Sequence, residues 1–199
     1  MKKSVREKFF LVAGHAESLL NFRGPLIKAL INEGLEIHAA APCLEENDST
    51  IKALEDLGVN LHNISLKRTS INPFTDLKTL YQLIRLMLKI KPTYTLGYTH
   101  KSVIYGNLAA LIARVPNRYA LITGLGYTFQ SNILWLNYLL KKMYKITLRH
   151  TEKVIFQNPD DEKFFYKLGI INKADQKSVV VNGSGIDLKK FEVAPLPNN

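Results

Sequence analysis

Apolar positions along the chain follow two alternating patterns: short unbroken runs, and longer stretches where they recur every three or four residues. Phe9-Phe10-Leu11-Val12-Ala13 is the first short run, and an unbroken run of this length reads as a strand buried on both faces. Gly14-His15-Ala16-Glu17-Ser18 follows as a loop. One helix then runs to about Glu33 on a stripe of Leu19, Phe22, Leu26, Ile27, Leu30 and Ile31, with Gly34 closing it. Residues 35–40 form a second strand stopped by Pro42, residues 49–57 a short helix ended by Gly58, and residues 59–64 a third strand. Ser70-Ile71-Asn72-Pro73 opens a longer helix that stops before Pro92. Further strands fall at 93–97, 119–122, 153–156 and 178–181, with helices at about 101–114, 132–150 and 159–168 between them. Alternation with short links predicts a parallel sheet with right-handed crossovers. The chain therefore reads as one Rossmann-like, doubly wound α/β domain without internal repeats, with strand ends at Ala13, Gly97 and Ile122 on one edge.

In such sheets ligands bind outside the carboxyl ends of the strands, where connections diverge. Tyr119-Ala120-Leu121-Ile122-Thr123-Gly124-Leu125-Gly126 ends a buried strand in a glycine pair at that edge. Two readings of the pair stand: a tight turn, or a place where backbone N–H groups approach a ligand. Gly14 and His15 leave space and donors near a helix start, which suits a phosphate or sugar. Asn21 and Arg23 lie in the first turns of that helix, where Arg23 faces either the cleft or solvent. Tyr98-Thr99-His100-Lys101-Ser102 joins the fourth strand to a helix and brings together a proton acceptor, a cation and unpaired N–H groups. The nucleotide-binding signatures Gly-x-Gly-x-x-Gly after the first strand and Gly-x-x-x-x-Gly-Lys-Ser/Thr are both absent. His15, His38, His62, His100 and His150 show no metal-ligand spacing, so neither a metal nor a cofactor is expected.

Charge changes this picture in one respect. Lysine and arginine outnumber acids 27 to 17, for a formal +10, which favours anionic partners. No nucleic-acid-binding signature accompanies it. On the helix at 74–91, Lys78, Gln82, Arg85 and Lys89 share a face. On the helix at 132–150, Asn137, Lys141, Lys142, Lys145 and Arg149 form a stripe beside a broad apolar arc. That composition fits a helix lying on an anionic membrane surface, and equally a helix packed between the sheet and a second domain. The single cysteine, Cys43, excludes a disulfide framework and fits a reducing cytoplasm.

Taken in order, Asn21-Phe22-Arg23-Gly24-Pro25, Asn72-Pro73-Phe74, His100-Lys101-Ser102, Gly124-Leu125-Gly126 and Val181-Asn182-Gly183-Ser184-Gly185-Ile186-Asp187 make the chain resemble the N-terminal domain of family 4 glycosyltransferases. These are retaining enzymes of the two-domain GT-B fold, and the resemblance is nearest to those adding N-acetylhexosamine to undecaprenyl-diphosphate-linked sugars. It implies that residues 1–182 are the acceptor-side domain and 183–199 the start of an interdomain linker. The donor-binding domain with its acidic E-x7-E motif would lie outside the chain, leaving this part inactive alone. It implies a UDP-sugar donor, a lipid-linked glycan acceptor, no metal, and a cytoplasmic place on the inner face of the plasma membrane. His100 would position or polarise the acceptor, and Lys101 would offset negative charge beside Ser102. Gly14, His15, Asn21, Arg23, Gly124, Leu125 and Gly126 would meet acceptor or donor. Thr123 stands where many relatives carry a histidine. Alternative readings are a stand-alone binding module for an anionic ligand, or half of a GT-B sugar-nucleotide epimerase.

Overall fold

Strand β1 (Lys8–Val12) lies inside the sheet, and its unbroken apolar run is buried on both faces. The computed structural model describes residues 6–44, 48–67, 72–124 and 134–185. After β1 come helices α1 (Ala16–Asn21) and α2 (Gly24–Asn32), β2 (Glu36–Ala41), α3 (Asp48–Asp56), β3 (Asn60–Asn63), α4 (Pro73–Ile90) and β4 (Tyr94–Tyr98). Then follow α5 (His100–Ile112), β5 (Asn117–Ile122), α6 (Leu134–Arg149), β6 (Lys153–Phe156), α7 (Pro159–Lys167), a 3-10 turn at Lys173–Asp175, and β7 (Ser178–Val180). The strands form one parallel sheet in the order β3-β2-β1-β4-β5-β6-β7. The chain builds outward from β1 to β3, then crosses back through α4 to β4 on the other side of β1. The expected edge follows, since the carboxyl ends of β1, β4 and β5 lie side by side.

Two layers cover the sheet. On one face Leu19, Ile27 and Leu54 of α1, α2 and α3 pack on Leu11, Ile37 and Ala39. On the other, Leu83 and Met87 of α4 and Ala109 and Ala110 of α5 pack on Phe10, Val12 and Ala40. Val103 and Ile104 of α5 join Tyr144 and Leu148 of α6 and Phe165 of α7 over Ala120, Ile122, Val154 and Phe156. Caps match the ladder ends they serve: Asn72 accepts from the Phe74 and Thr75 amides at the start of α4, and Asn158 from the Asp161 amide at the start of α7.

The single helix expected over the stripe Leu19–Ile31 is two. Gly24 and Pro25 stand at the first positions of α2, and Pro25 has no N–H for the Asn21 carbonyl, so the ladder breaks after Asn21. The break rotates the stripe: Leu19 and Ile27 stay buried, whereas Phe22 is 63 % and Leu26 36 % exposed. The two border a groove of about 400 Å³ with Leu30, Tyr119, Ile155 and Val181, between α2 and the β5–β7 side of the same sheet face.

Two histidines that sequence spacing left unrelated are joined by strand register. His38 sits opposite Asn60 and His62 opposite Ala40, so both face α4. Nδ1 of His38 lies 3.0 Å from Nε2 of His62, and Nε2 of His38 lies 2.8 Å from Glu36 Oε1. The His62 ring stacks between Phe10 and His38. Burial, then the His38 and Lys89 charges, lower its pKa from the ordinary 6.5 to about 4. The fold thus favours neutral His62. Its contribution to stability is complete above the unfolded value of 6.5 and is lost as pH falls toward 4. Thermal melting from pH 7.5 down to 4.5 tests this against His62→Gln, which keeps an amide donor toward His38 but does not titrate. The wild-type midpoint is expected to fall more steeply than the variant's, and parallel curves would remove His62 from the linkage.

Candidate functional site

The carboxyl edge at β1, β4 and β5 is built on close backbone approaches. A Cβ at Gly97, in β4, would lie 2.5 Å from the Ser102 carbonyl oxygen and 3.0 Å from the Val103 Cα, both in α5. One at Gly106 would lie 3.1 Å from Val12 Cγ2. Without those side chains α5 sits down on the strands, and its first turn points into the divergence between β1 and β4. Gly14 is buried after β1, and a Cβ there would come within 2.7 Å of Thr99 Oγ1.

Thr99, the N-cap of α5, has φ +70° and ψ 156°, a conformation a β-branched residue rarely adopts. It gives no side-chain cap to α5; its Oγ1 instead donates to Ser102 Oγ at 3.3 Å. Such strain persists only where surroundings over-determine it and is concentrated at functional sites. Sequence reasoning passed over Thr99, and its residue type argues against the conformation it takes. Gly124, at the end of β5, has φ +137° with open space where a Cβ would stand, so its requirement is conformational rather than steric. Thr123 and Gly124 are half-buried; Leu125 and Gly126 lie outside the described residues.

His100 is the first residue of α5 and half-buried, not the exposed loop histidine its sequence neighbourhood suggests. Its Nδ1 lies 2.7 Å from the hydroxyl of Tyr144, which is fully buried in α6. Lys101 is no uncommitted cation. Its Nζ is 2.5 Å from Asp76 Oδ1, and Tyr105 donates to Asp76 Oδ2 at 2.9 Å. The pair is mostly buried, at 18 % and 15 % side-chain exposure, and ties the first turn of α4 to that of α5. Burial, then the bond to Asp76, push the Tyr105 hydroxyl pKa up.

His15 and Asn21 are exposed at the two ends of α1, and the Ser18 hydroxyl caps the His15 carbonyl at 2.6 Å and meets Tyr98 OH at 2.9 Å. Arg23 turns away from solvent, at 5 % exposure, with its guanidinium 4.8 Å from the centre of the Tyr98 ring. Nη1 donates to the Phe22 carbonyl and to Ser184 Oγ, 2.7 Å away, which Gln157 also contacts. Its buried Nε has no partner among the described residues. Desolvation lowers its pKa, which the Tyr98 hydroxyl partly counters. Arg23 therefore pins the segment after β7 against α2 at the end of the apolar groove. A second cavity, about 490 Å³, opens at the carboxyl ends of β2 and β3, lined by Cys43, Ser65, Lys67, Phe74 and Lys78. No three His, Cys, Asp or Glu side chains among the described residues are grouped to hold a metal.

Comparisons with known proteins agree with this fold. Residues 10–158 match the family described as glycosyl transferase 4-like. The chain is 31 % identical over 179 residues to the N,N'-diacetylbacillosaminyl-diphospho-undecaprenol alpha-1,3-N-acetylgalactosaminyltransferase of Campylobacter jejuni, covering 87 % of this chain and 45 % of that protein. Among solved structures it superposes on Acinetobacter baumannii MurG with a TM-score of 0.56 at 17 % identity, covering 94 % of this chain and 48 % of MurG. For the S. aureus MnaA–UDP co-structure the values are 0.62, 18 %, 94 % and 47 %. These likenesses show the GT-B-type Rossmann half-fold. The chain spans about half the length of each of these three proteins.

The seating of α5 makes a stability prediction. Gly97→Ala forces a methyl against backbone, which cannot rotate away, so a loss of about 2–3 kcal/mol is expected. Gly24→Ala, with nothing within 4 Å, is the control and should stay within about 0.5 kcal/mol of wild type. Denaturant unfolding of both variants checks this; equal midpoints would mean that β4 and α5 are not held in contact at Gly97.

Proposed function

The chain belongs to the glycosyl transferase 4-like family, and we propose that it is the acceptor-side half of a retaining glycosyltransferase. The reaction is transfer of a sugar, an N-acetylhexosamine or relative, from a UDP-activated donor to a lipid-linked glycan. Residues 1–182 form this half, and 183–199 begin the linker to a donor-binding half. The observation that carries the reading is the strained, uncapped start of α5 beside Gly14 and Gly124, on the edge where β1 and β4 diverge. The positive end of a helix dipole, with glycine on either side, favours an anionic group. Transfer builds charge on the departing diphosphate and on the attacking hydroxyl, and donors already in place stabilise it without reorganising. In this arrangement His100 meets the acceptor, Ser102 and Thr99 shape the first turn, and Lys101 acts through its pair with Asp76 rather than as a free charge.

The lipid-linked acceptor places the enzyme at a membrane surface, and the outer faces of α4 and α6 suit one. Phe74, Leu77, Tyr81 and Leu88 of α4, and Trp135, Tyr138, Leu139 and Ile146 of α6, are exposed on the two helices that flank α5. Lys78, Arg85 and Lys89 accompany the first set; Lys142, Lys145 and Arg149 are exposed beside the second, and Lys141 is half-buried there. Asp76 is the only acid in either helix, and it is already paired with Lys101. No helix among the described residues is long and apolar enough to cross a membrane.

Two experiments test this reading. The full-length protein should transfer N-acetylhexosamine from its UDP conjugate to an undecaprenyl-diphosphate-linked acceptor, whereas the 199-residue chain should transfer none and bind UDP weakly by calorimetry. Tight UDP binding to the short chain would overturn the division of labour. Each lysine or arginine near an anionic surface contributes about 1 kcal/mol. Replacing Lys142, Lys145 and Arg149 with Gln should therefore release the protein from phosphatidylglycerol vesicles, as should high salt. Sedimentation unchanged in both arms would return α6 to a role in packing.

A further inference from the structure

Arg23 brings a full charge into a place that holds no opposite one. Its side chain is 5 % exposed, and a guanidinium does not shed its proton to escape desolvation. Every contact it makes among the described residues is to a neutral group: the Phe22 carbonyl, the Ser184 hydroxyl and the Tyr98 ring. Ser184 Oγ also accepts from Gln157, and it has no charge to offer. Arg23 makes no ion pair among the described residues, and its buried Nε has no acceptor there. As the N-cap of α2 it also stands at the positive end of that helix, which adds to the imbalance. Buried charges are kept where a counter-charge meets them, so a guanidinium placed like this calls for an acid.

The same guanidinium stands at one end of the apolar groove bordered by Phe22, Leu26, Tyr119, Ile155 and Val181. A parallel sheet is normally covered on both faces. Helices α4 to α7 cover one face here, whereas α1, α2 and α3 are the only described helices in the core of the other. Beyond α2 that second face meets solvent: Val179 stands beside Ile155 in register and is 40 % exposed, and Val181 is 36 % exposed. Wall and charge have to be satisfied together. A small anion would meet Arg23 and leave the apolar wall wet. An apolar chain without an acid would cover the wall and bury the charge more deeply. The complement is an apolar segment that carries one carboxylate at the matching end.

We propose that such a segment belongs to the donor-binding half of the full-length enzyme. It packs across the β5–β7 side of this face, and its Asp or Glu closes a buried ion pair with Arg23. This pairing rests on the glycosyltransferase reading above, in which the chain is one half of a larger enzyme. It is supported by an unmatched charge beside an uncovered wall, in a chain about half as long as the three proteins compared with it. The pair fixes more than docking. The guanidinium lies 4.8 Å from the centre of the Tyr98 ring, and Tyr98 leads directly into Thr99 and the start of α5. Contact between the two halves is thereby felt at the edge where the acceptor is placed.

Hydroxyl-radical footprinting of the 199-residue chain and of the full-length protein tests the cover without measuring transfer. Phe22, Leu26 and Val181 should be oxidised in the short chain and should lose most of that oxidation in the full-length protein. Equal oxidation, or equal protection, in both overturns the proposal whatever a transfer assay shows. Absence of transfer with the difference intact counts against the glycosyltransferase reading alone. Protection of the short chain by inorganic phosphate or UDP would assign Arg23 to an anionic ligand. Protection that comes with dimerisation at high concentration would assign the face to a second copy, and either result overturns the proposal. The ion pair has its own test. Arg23→Met keeps an apolar stem and removes the charge. It should leave the melting midpoint of the short chain unchanged or raise it, and lower that of the full-length protein by several degrees. An equal loss in both proteins means that Arg23 serves only Ser184, and overturns the pair. Should this variant not fold, the footprint decides alone.

Discussion

The close seating of helix α5 on strands β1 and β4 is the constraint on which the other features depend. Gly97 admits the helix backbone, Gly106 admits Val12, and the helix that results is buried on nearly every side. A helix with so little polar surface is stable only inside a protein. Here α4 and α6 supply its flanks, and the two apolar clusters on that face of the sheet both include residues of α5. Position follows from this packing: the helix start cannot shift along the sheet without driving backbone atoms together at Gly97. The strained Thr99 is held in place by the same contact, since the strand behind it and the helix ahead of it are both fixed.

Polar contacts divide by location. At the edge, side chains are committed to one another: Lys101 and Tyr105 to Asp76, His100 to Tyr144, Arg23 to Ser184. Removing one partner of such a mostly buried pair costs about 3–5 kcal/mol, although the intact pair contributes little net stability. These contacts therefore specify geometry more than they add strength. Among the described residues the outward lysines and arginines of α4 and α6 make no ion pair, and their effect on a charged surface is additive and screened by salt. A basic chain of this kind presents its charge outward, while the site itself relies on fixed, neutralised groups.

The strands and helices, and with them the shared edge, were legible from sequence because each element rests on a local period: unbroken apolar runs for the strands, and three-to-four spacing for the helices. The break between α1 and α2 was missed for the same reason. The stripe from Leu19 through Phe22 and Leu26 continues across it, and only Pro25 carries the opposing signal. Gly14 and Gly124 could be singled out because glycine at a strand end is a local cue. Asp76, Tyr144 and the His38–His62 pair could not, since their partners lie 25, 44 and 24 residues away and meet only through strand register and helix packing. Thr99 was hidden differently: its residue type favours extended backbone, and tertiary packing overrides that preference.

The order of the strands also has a consequence in time. Strands β1, β2 and β3 pair among near neighbours along the chain, and so do β4 to β7. The β1–β4 pairing joins positions as far apart as Phe10 and Thr95, a separation of 85 residues. Closing a loop of that size is entropically the slowest kind of step a sheet offers. The candidate edge is thus a seam between a three-stranded unit and a four-stranded one. It exists only once the two are joined, so a ligand held there would bind the joined sheet and neither unit alone.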